Sequence, residues 1–163
     1  MEIETIPRLF WDAVKRRQQK TAMREKDLGI WQTISWEKYG LQARNTGLAL
    51  YSLGLKKGEV VSIASEGNPE WLYTDMGAIG AGGISSGVYT TDSAAQVKYL
   101  VNDSKTKFDF AENEEQLDKI VEVRSEWPTL EKIIVYEMEG LHNFSDSQVM
   151  SYDDFINIGV ELH

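Results

Sequence analysis

The chain contains no cysteine, which excludes disulfide bonds, thiolate metal sites and cysteine nucleophiles. Its two histidines, His142 and His163, are too few and too poorly placed for a catalytic triad or a zinc site. No apolar run approaches the ~18 residues that a membrane span requires. The acidic N-terminus lacks the apolar region of a secretory signal. We therefore expect a cytoplasmic protein.

Positive charge is in the minority, with 17 Lys and Arg against 26 Asp and Glu, so the formal net charge is −9. This balance argues against nucleic acid as a partner. The basic residues are concentrated in 1–60, where Lys15, Arg16, Arg17 and Lys20 form a cluster. Two interpretations remain open for this cluster: a weak peripheral contact with anionic lipid, which would make the protein membrane-associated, or a solvated helix face, which is the commoner case.

The pattern of apolar segments and turn residues predicts an α/β fold. A length of 163 residues suits one domain, or a large piece of one. Strands are predicted at 21–26, 30–35, 60–64, 84–89, 106–111 and 132–136, and helices at 6–19, 36–54, 69–82, 93–103, 114–125 and from 151 onward. Residues 1–35 thus form a helix plus a hairpin, and 36–163 an alternating α/β region. Such alternation indicates a three-layer fold, with a mostly parallel sheet covered by helices on both faces.

Some finer details are predicted as well. The hairpin turn is Asp27-Leu28-Gly29, a loop of the three-to-five-residue class. The first helix directs Leu9, Phe10, Ala13 and Val14 inward, and the last helix buries Phe155 and Ile158. Residues 139–149 are polar and irregular, which predicts a mobile surface loop.

The segment 67–91 carries the strongest local signals. Asn68 is a typical N-cap and Pro69 suits the first helical position. Apolar side chains of Trp71, Leu72, Met76 and Ile79 are predicted to form the inner face of this helix. The small residues at 77–83 allow a close approach to a neighbouring element, and glycines then end the helix.

Two stretches of this segment imitate phosphate-binding loops. Residues 80–85 resemble a dinucleotide fingerprint, but the third glycine position holds Ser85 and the order is helix then strand. Residues 85–93 are rich in Ser and Thr, but they contain one glycine and no lysine, and Asp92 would repel phosphate. A strand followed by a helix cap at Ser93 explains the second stretch better.

Carboxylates and tryptophans complete the candidates. Asp75 lies near an apolar helix face, where a catalytic role and a structural pairing both remain open. Carboxylates at helix starts suit the helix dipole and need no metal; they are Glu112, Glu114, Glu115, Asp153 and Asp154. The tryptophans are expected mainly to pack the core, with an apolar ligand tunnel as the alternative; they are Trp11, Trp31, Trp36, Trp71 and Trp127.

An ordered set of segments resembles the N-terminal part of the acyl-adenylate-forming ligases, and above all the long-chain fatty-acid–CoA ligases. The matching segments are 34–39, 53–59, the Asn-Pro-Glu-Trp run at 68–71, the small-residue stretch 78–83, the Tyr-Thr-Thr turn at 89–91, and 96–104 and 111–119. No single segment is strongly specific, whereas the ordered set is.

This resemblance implies a parent enzyme that activates a fatty acid with ATP and Mg²⁺ and transfers the acyl group to coenzyme A. The family's phosphate loop and its later motifs are absent before His163. The resemblance therefore implies that residues 1–163 are the N-terminal portion of the large AMP-binding domain, with no catalytic, cofactor-binding or metal residue of their own. We expect this fragment to be inactive.

Two alternatives remain at this point: a stand-alone, non-catalytic α/β binding module, and a fragment of an aryl- or amino-acid-activating enzyme. A piece of a larger sheet would expose apolar surface, which predicts a homo-oligomer.

Overall fold

The structure is a computed structural model that describes residues 4–162. The helices are α1 (Ile6–Arg17), α2 (Trp36–Ser52), α3 (Pro69–Gly80), α4 (Ala94–Ser104), α5 (Glu114–Val123) and α6 (Tyr152–Glu161), and a 3-10 turn covers Arg124–Glu126. The strands are β1 (Thr21–Asp27), β2 (Ile30–Ser35), β3 (Val60–Ala64), β4 (Ile84–Val88), β5 (Phe108–Ala111), β6 (Lys132–Val135) and β7 (Val149–Ser151). No helix among these is long and apolar enough to cross a membrane.

The main sheet has five strands in the order β4-β3-β5-β6-β7, and every pairing in it is parallel. β1 and β2 form a separate antiparallel hairpin that precedes it. The predicted parallel α/β architecture with an N-terminal helix and hairpin is therefore confirmed.

Helices cover both faces of the sheet, as predicted for three layers. One face packs Ile63, Phe110 and Ile134 against α2, α3 and α6, with Leu50 and Phe155 fully buried among them. The opposite face packs β-strand residues against α4 and α5; its members include Ala64, Ala111, Val135, Val101, Leu117 and Ile120. Apolar burial on both faces explains why these strands are nearly continuous hydrophobic runs.

The hairpin and α1 form a third, smaller core against α2 and α3. Phe10, Tyr39 and Tyr73 meet there edge-on or tilted, with centroid distances of 4.7 Å (Phe10 to Tyr39) and 5.7 Å (Tyr39 to Tyr73). Of the four residues expected on the inner face of α1, Phe10 is buried and Ala13 and Val14 are partly buried. Leu9 is exposed, so that assignment was wrong.

The hairpin turn is shorter than predicted. Asp27 pairs with Ile30, so only Leu28 and Gly29 lie in the turn. Both have positive φ, 44° and 84°, which is the geometry of a type I′ turn. That turn matches the twist of the strands, and it allows Asp27 to remain in the ladder.

The predicted caps are confirmed. Side chains of Ser35, Asn68, Ser93, Asn113 and Ser151 each accept a hydrogen bond from a backbone N–H in the first turn of the following helix. Helix α2 ends as expected, because the Leu55 N–H donates to the Leu50 carbonyl at 2.9 Å and Gly54 has a φ of +97°.

The 139–149 loop differs from its prediction in two ways. Its end forms β7, a short edge strand that the polar composition concealed. The rest is irregular but anchored, since Leu141 is buried in the core and Asp146 pairs with Arg124 at 2.6 Å.

Strand β5 also begins later than predicted, because the Thr106 carbonyl accepts from Trp127 and Thr129 instead of from a strand. Ile158 in α6 is only partly buried, although Phe155 is fully buried as predicted.

Helix α3 packs so closely on α2 that no side chain fits between the two backbones at Gly77, as the small residues of α3 predicted. A Cβ added at Gly77 would lie 2.6 Å from the Thr46 side chain and 2.8 Å from the Ala43 carbonyl oxygen. The deeply buried face is therefore the one that carries Tyr73, Thr74 and Gly77. The predicted face of Trp71, Leu72, Met76 and Ile79 is only partly buried, because periodicity marked the larger side chains and not the contact surface.

The substitution Gly77→Ala should lower the free energy of unfolding by about 1–3 kcal/mol, because the new methyl group has no room between α2 and α3. Urea denaturation at neutral pH measures it. Gly80→Ala is the matched control, since a Cβ there would meet nothing within 4 Å. Equal effects of the two substitutions would contradict the close-contact argument.

Candidate functional site at the carboxyl edge of the sheet

The strand order has a switch point between β3 and β5. From β3 the chain passes through α3 to β4 on one side, and then through α4 to β5 on the other side of β3. In open α/β sheets, ligands bind outside the carboxyl ends of the strands at such a point. Here that region consists of residues 65–68 after β3 and Glu112 and Asn113 after β5. It is the candidate site on topological grounds.

A chain of hydrogen bonds connects the loops at this edge. The Glu66 N–H donates to a carboxylate oxygen of Glu112 at 2.7 Å, and the Glu137 N–H donates to the Glu112 carbonyl at 2.8 Å. The Thr90 hydroxyl donates to the Glu66 carboxylate. Lys119 Nζ donates to the Thr90 carbonyl at 2.6 Å. These loops are bound to one another, and the four donors named here are already used within the protein.

The amino end of α3 is likewise occupied. Asn68 Oδ1 accepts from the Trp71 N–H at 2.8 Å, and Asn68 Nδ2 donates to Ser65 Oγ at 2.9 Å. A helix N-terminus binds phosphate through unsatisfied N–H groups. In α3 the side chain of Asn68 already satisfies one of them.

Two tyrosines near this edge were not identified from the sequence. The Tyr136 hydroxyl lies 2.8 Å from Thr74 Oγ1 and 3.3 Å from the Glu70 carbonyl oxygen. The Tyr152 hydroxyl lies 3.4 Å from Thr46 Oγ1. Burial raises the pKa of Tyr136 well above its ordinary value, so its phenol remains neutral. The partners are 62 and 106 residues apart, and no local pattern reports such pairings.

A cleft of about 460 Å³ lies between this edge and the hairpin. Its lining residues are Glu25, Lys26, Asp27, Asn68, Glu70, Tyr136, Glu137, Tyr152 and Asp153. Burial raises the pKa of Glu70, and the charges of Glu25 and Glu137 act in the same direction. Carboxylates outnumber the one lysine, so the cleft disfavours a polyphosphate.

Neither phosphate-loop imitation has the geometry of a phosphate loop in this fold. The glycines at 80–83 end α3, where the Gly83 N–H donates to the Ala78 carbonyl at 2.9 Å and Gly82 has a φ of +88°. They lie at the amino end of β4, at the edge opposite the candidate site. Residues 85–93 are strand β4 followed by the Ser93 capping box, as predicted.

The candidate carboxylates have structural partners. Asp75 accepts from the Ser85 hydroxyl, which links α3 to β4. Glu114 and Glu115 lie in the first turn of α5, and Asp153 and Asp154 in the first turn of α6, as predicted. No group of three or more His, Asp or Glu residues within 4–162 could hold a metal ion. His142 lies exposed on the loop, and His163 is outside the described residues.

The tryptophans divide into two groups. Trp127 is buried and donates to the Thr106 carbonyl at 2.9 Å, and Trp36 and Trp71 pack against core clusters. Trp31 is 64% exposed on the hairpin, and Trp11 also reaches solvent. The expectation of core packing therefore fails for Trp31.

Asp109 is the one fully buried carboxyl among the described residues, and it lies in the central strand β5. Ser62 on β3 lies directly opposite in the register, and its hydroxyl donates to Asp109 Oδ1. Oδ2 has no hydrogen-bond partner. Burial raises the pKa of Asp109 to about 7. Along the strand, Asp109 lies between two buried phenylalanines in the sequence Phe-Asp-Phe-Ala. It does not line the cleft.

Asp109 should make the protein less stable as pH rises. The unfolded carboxyl loses its proton near pH 3.8, whereas the folded one keeps it until about pH 7. The penalty therefore grows between these values and reaches roughly 4 kcal/mol above them. We expect Asp109→Asn to gain stability relative to the native chain as pH rises from 4.5 to 8. Urea denaturation at both pH values measures this difference, and a difference independent of pH would contradict it.

Comparison with known proteins identifies the family. A sequence model described as AMP-binding enzyme matches residues 10–155. The chain belongs to the AMP-binding enzyme family. Its fold agrees with that of the anthranilate CoA ligase AuaEII in complex with anthranoyl-AMP (TM-score 0.78, 23% identity, 93% of this chain and 26% of that one). It also agrees with the A-PCP didomain of a carboxylic acid reductase from Segniliparus rugosus in complex with AMP (TM-score 0.82, 14% identity, 98% and 27%).

Curated relatives of this family member are long-chain-fatty-acid–CoA ligases. The chain is 28% identical to human ACSBG1 over 97% of its length, and 32% identical to human ACSBG2 over 95%. It is 34% identical to ACSBG2 of Xenopus laevis over 97% of its length. In each case it spans between 21% and 23% of the relative.

Proposed function

We propose that this chain is the N-terminal portion of the large domain of a long-chain acyl-CoA synthetase. The observation that carries the proposal is the match to long-chain-fatty-acid–CoA ligases along nearly the whole chain. In the proposed parent, ATP and a fatty acid give an acyl-adenylate and pyrophosphate, and the thiol of coenzyme A then displaces AMP to form the thioester. Mg²⁺ would offset the charge that develops on the phosphates.

The role of residues 1–163 in that parent is structural. The sheet and its two helix layers hold the carboxyl edge rigid, so that nucleotide and acyl sites assemble against it. The acidic cleft and the self-satisfied loops at this edge do not fit ATP. Residues that hold ATP, Mg²⁺ and coenzyme A therefore belong to other parts of the parent.

The purified chain should form no palmitoyl-CoA from ATP, Mg²⁺, coenzyme A and palmitate, because it lacks groups that grip the triphosphate. A thioester assay tests this, with human ACSBG2 as the positive control. A calorimetric titration with a non-hydrolysable ATP analogue should show no tight binding. Turnover above a buffer control, or tight nucleotide binding, would refute the scaffold role.

The reading frame beyond codon 163 separates the two main alternatives. A Ser/Thr/Gly-rich loop that ends in lysine supports the synthetase, and a stop codon supports a stand-alone binding module.

We also propose that the isolated chain self-associates through β4. Within residues 4–162 this strand pairs with β3 alone, and its first residue, Ile84, is 51% exposed. Tyr89, directly after the strand, and Tyr99 in α4 are exposed as well. Open apolar strand edges pair readily with other chains.

Light scattering after gel filtration should therefore report a mass above 18.5 kDa at high concentration. Ile84→Lys should shift it toward the monomer, because a charged side chain blocks edge pairing. A monomer at every concentration, or a dimer that Ile84→Lys leaves intact, would contradict this interface.

Contact with anionic lipid remains a prediction for the basic end of α1. Lys15, Arg16 and Arg17 form its last turn, but the Arg17 guanidinium lies over the Trp36 ring at 5.1 Å. Arg16 Nε also donates to the Asp12 carbonyl at 3.3 Å, so two of the three basic side chains have contacts within the protein. Cytoplasmic location is likewise a prediction.

A further inference from the structure

The hairpin covers a cavity of about 190 Å³, which its strands enclose together with α2, α3 and α6. We call this space the inner cavity; Gln42, Glu70 and Tyr73 lie in its wall. It adjoins the cleft at the carboxyl edge, because four residues line both spaces: Glu25, Glu70, Tyr152 and Asp153. The volume of the inner cavity equals about six liquid waters of ~30 Å³ each, which is room for a small organic group.

Negative charge predominates around the inner cavity and the cleft. Two lysines line them, against five carboxylates: Glu25, Asp27, Glu70, Glu137 and Asp153. In the part of the chain that the structure describes, 4–162, none of these five carboxylates forms an ion pair. Glu70 is partly buried, so water hydrates its charge incompletely. A bound cation would offset the cost of such an unpaired charge.

Tyr73 gives an independent indication of a ligand at this place. Its side chain is 3% exposed, yet its hydroxyl has no hydrogen-bond partner among the described residues. The hydroxyls of Tyr39, Tyr136 and Tyr152 all have one. Burial raises the pKa of Tyr73, and the charge of Glu70 adds to this effect, so the hydroxyl lies within electrostatic reach of that carboxylate. A buried polar group without a partner is costly, and native structures contain few of them.

The polar atoms that face the inner cavity are suited to a donor. Gln42 Oε1 is buried and has no hydrogen-bond partner within residues 4–162. The carboxylate of Glu70 only accepts, and the Tyr73 hydroxyl can accept as well. An ammonium group has three donors and no acceptor, so it complements all three side chains. A single metal ion fits less well, because no three carboxylates among the described residues are arranged to hold one.

We propose that the inner cavity and the cleft together bind an alkyl diamine. One ammonium group contacts Glu70, Tyr73 and Gln42, and the other lies among the carboxylates of the cleft. The alkyl chain between them passes Tyr152, which lines both spaces. The two separated charges match carboxylates that do not converge on one point. The proposal does not depend on the proposed function, because every group that it uses lies within this chain.

Calorimetric titration of the whole chain at low ionic strength tests the proposal with three probes of one length: 1,4-diaminobutane, 1-aminobutane and 1,4-butanediol. We expect the diamine to bind at one site per chain. The monoamine should bind about tenfold more weakly, because it leaves the carboxylates of the cleft unpaired. The diol should not bind measurably, since it carries no charge.

Glu70→Gln tests the charge at the centre of the site. It keeps the shape of the side chain and should weaken diamine binding about tenfold, because it removes a charge-assisted hydrogen bond. Glu122→Gln is the matched control. It removes the same charge from an exposed position on α5, which packs on the opposite face of the sheet, and should bind like the native chain.

Tyr73→Phe tests the unpartnered hydroxyl with two measurements. It should weaken diamine binding about threefold, because an acceptor for the ammonium is lost. In the absence of ligand it should not lower the urea midpoint of unfolding, because the hydroxyl has no partner to lose. Tyr136→Phe is the control, since its hydroxyl lies 2.8 Å from Thr74 Oγ1 and its loss should lower that midpoint.

Three results would overturn the proposal. One is the absence of diamine binding to the native chain. Another is an equal loss of affinity in Glu70→Gln and Glu122→Gln, because the diamine would then respond only to net charge. The third is a Tyr73→Phe variant that loses as much stability as Tyr136→Phe and binds the diamine like the native chain. Circular dichroism confirms that each variant is folded.

Discussion

The fold depends on the close approach of three helices over one face of the sheet. Helix α2 lies between α3 and α6, and at both contacts a glycine removes the side chain that would separate them. Gly77 faces Thr46, and a Cβ at Gly159 would lie only 2.0 Å from the Asn45 carbonyl oxygen. This spacing lets Leu50 and Phe155 reach the sheet together, and it positions the α2 surface on which α1 and the hairpin pack.

Local signals predicted most of the fold. Caps at Ser35, Asn68 and Ser93 fix helix starts through contacts three residues apart, so the sequence records them directly. The two-residue turn at Leu28 and Gly29, by contrast, depends on a non-glycine residue with positive φ, which carries no clear sequence signal. Strand β7 was not predicted because it is only three residues long and lies at the edge of the sheet. Its pairing with β6 is a tertiary contact, which leaves no local pattern in the sequence. The prediction for the buried face of α3 was wrong for a similar reason. A glycine in close contact with α2 determines which face is buried, and the large apolar residues do not.

The candidate site was harder to predict than the fold. The alternation of strands and helices alone predicts that loop residues meet at the carboxyl edge of the sheet. It does not predict the character of this edge, because Glu66, Thr90 and Glu112 come from three separate loops and are joined only by the parallel sheet. Sequence reasoning placed a helix before the glycines at 80–83 and a strand followed by a helix cap at 85–93, and the structure has both.

The contact between α2 and α6 has a consequence for biosynthesis. Helix α2 ends at Ser52, whereas α6, which covers its inner flank, spans Tyr152–Glu161. A nascent chain on the ribosome thus exposes Ala49 and Leu50 until about one hundred further residues have been translated. Throughout that interval the growing polypeptide exposes an apolar helix surface, so chaperone binding is most useful before Phe155 emerges from the exit tunnel.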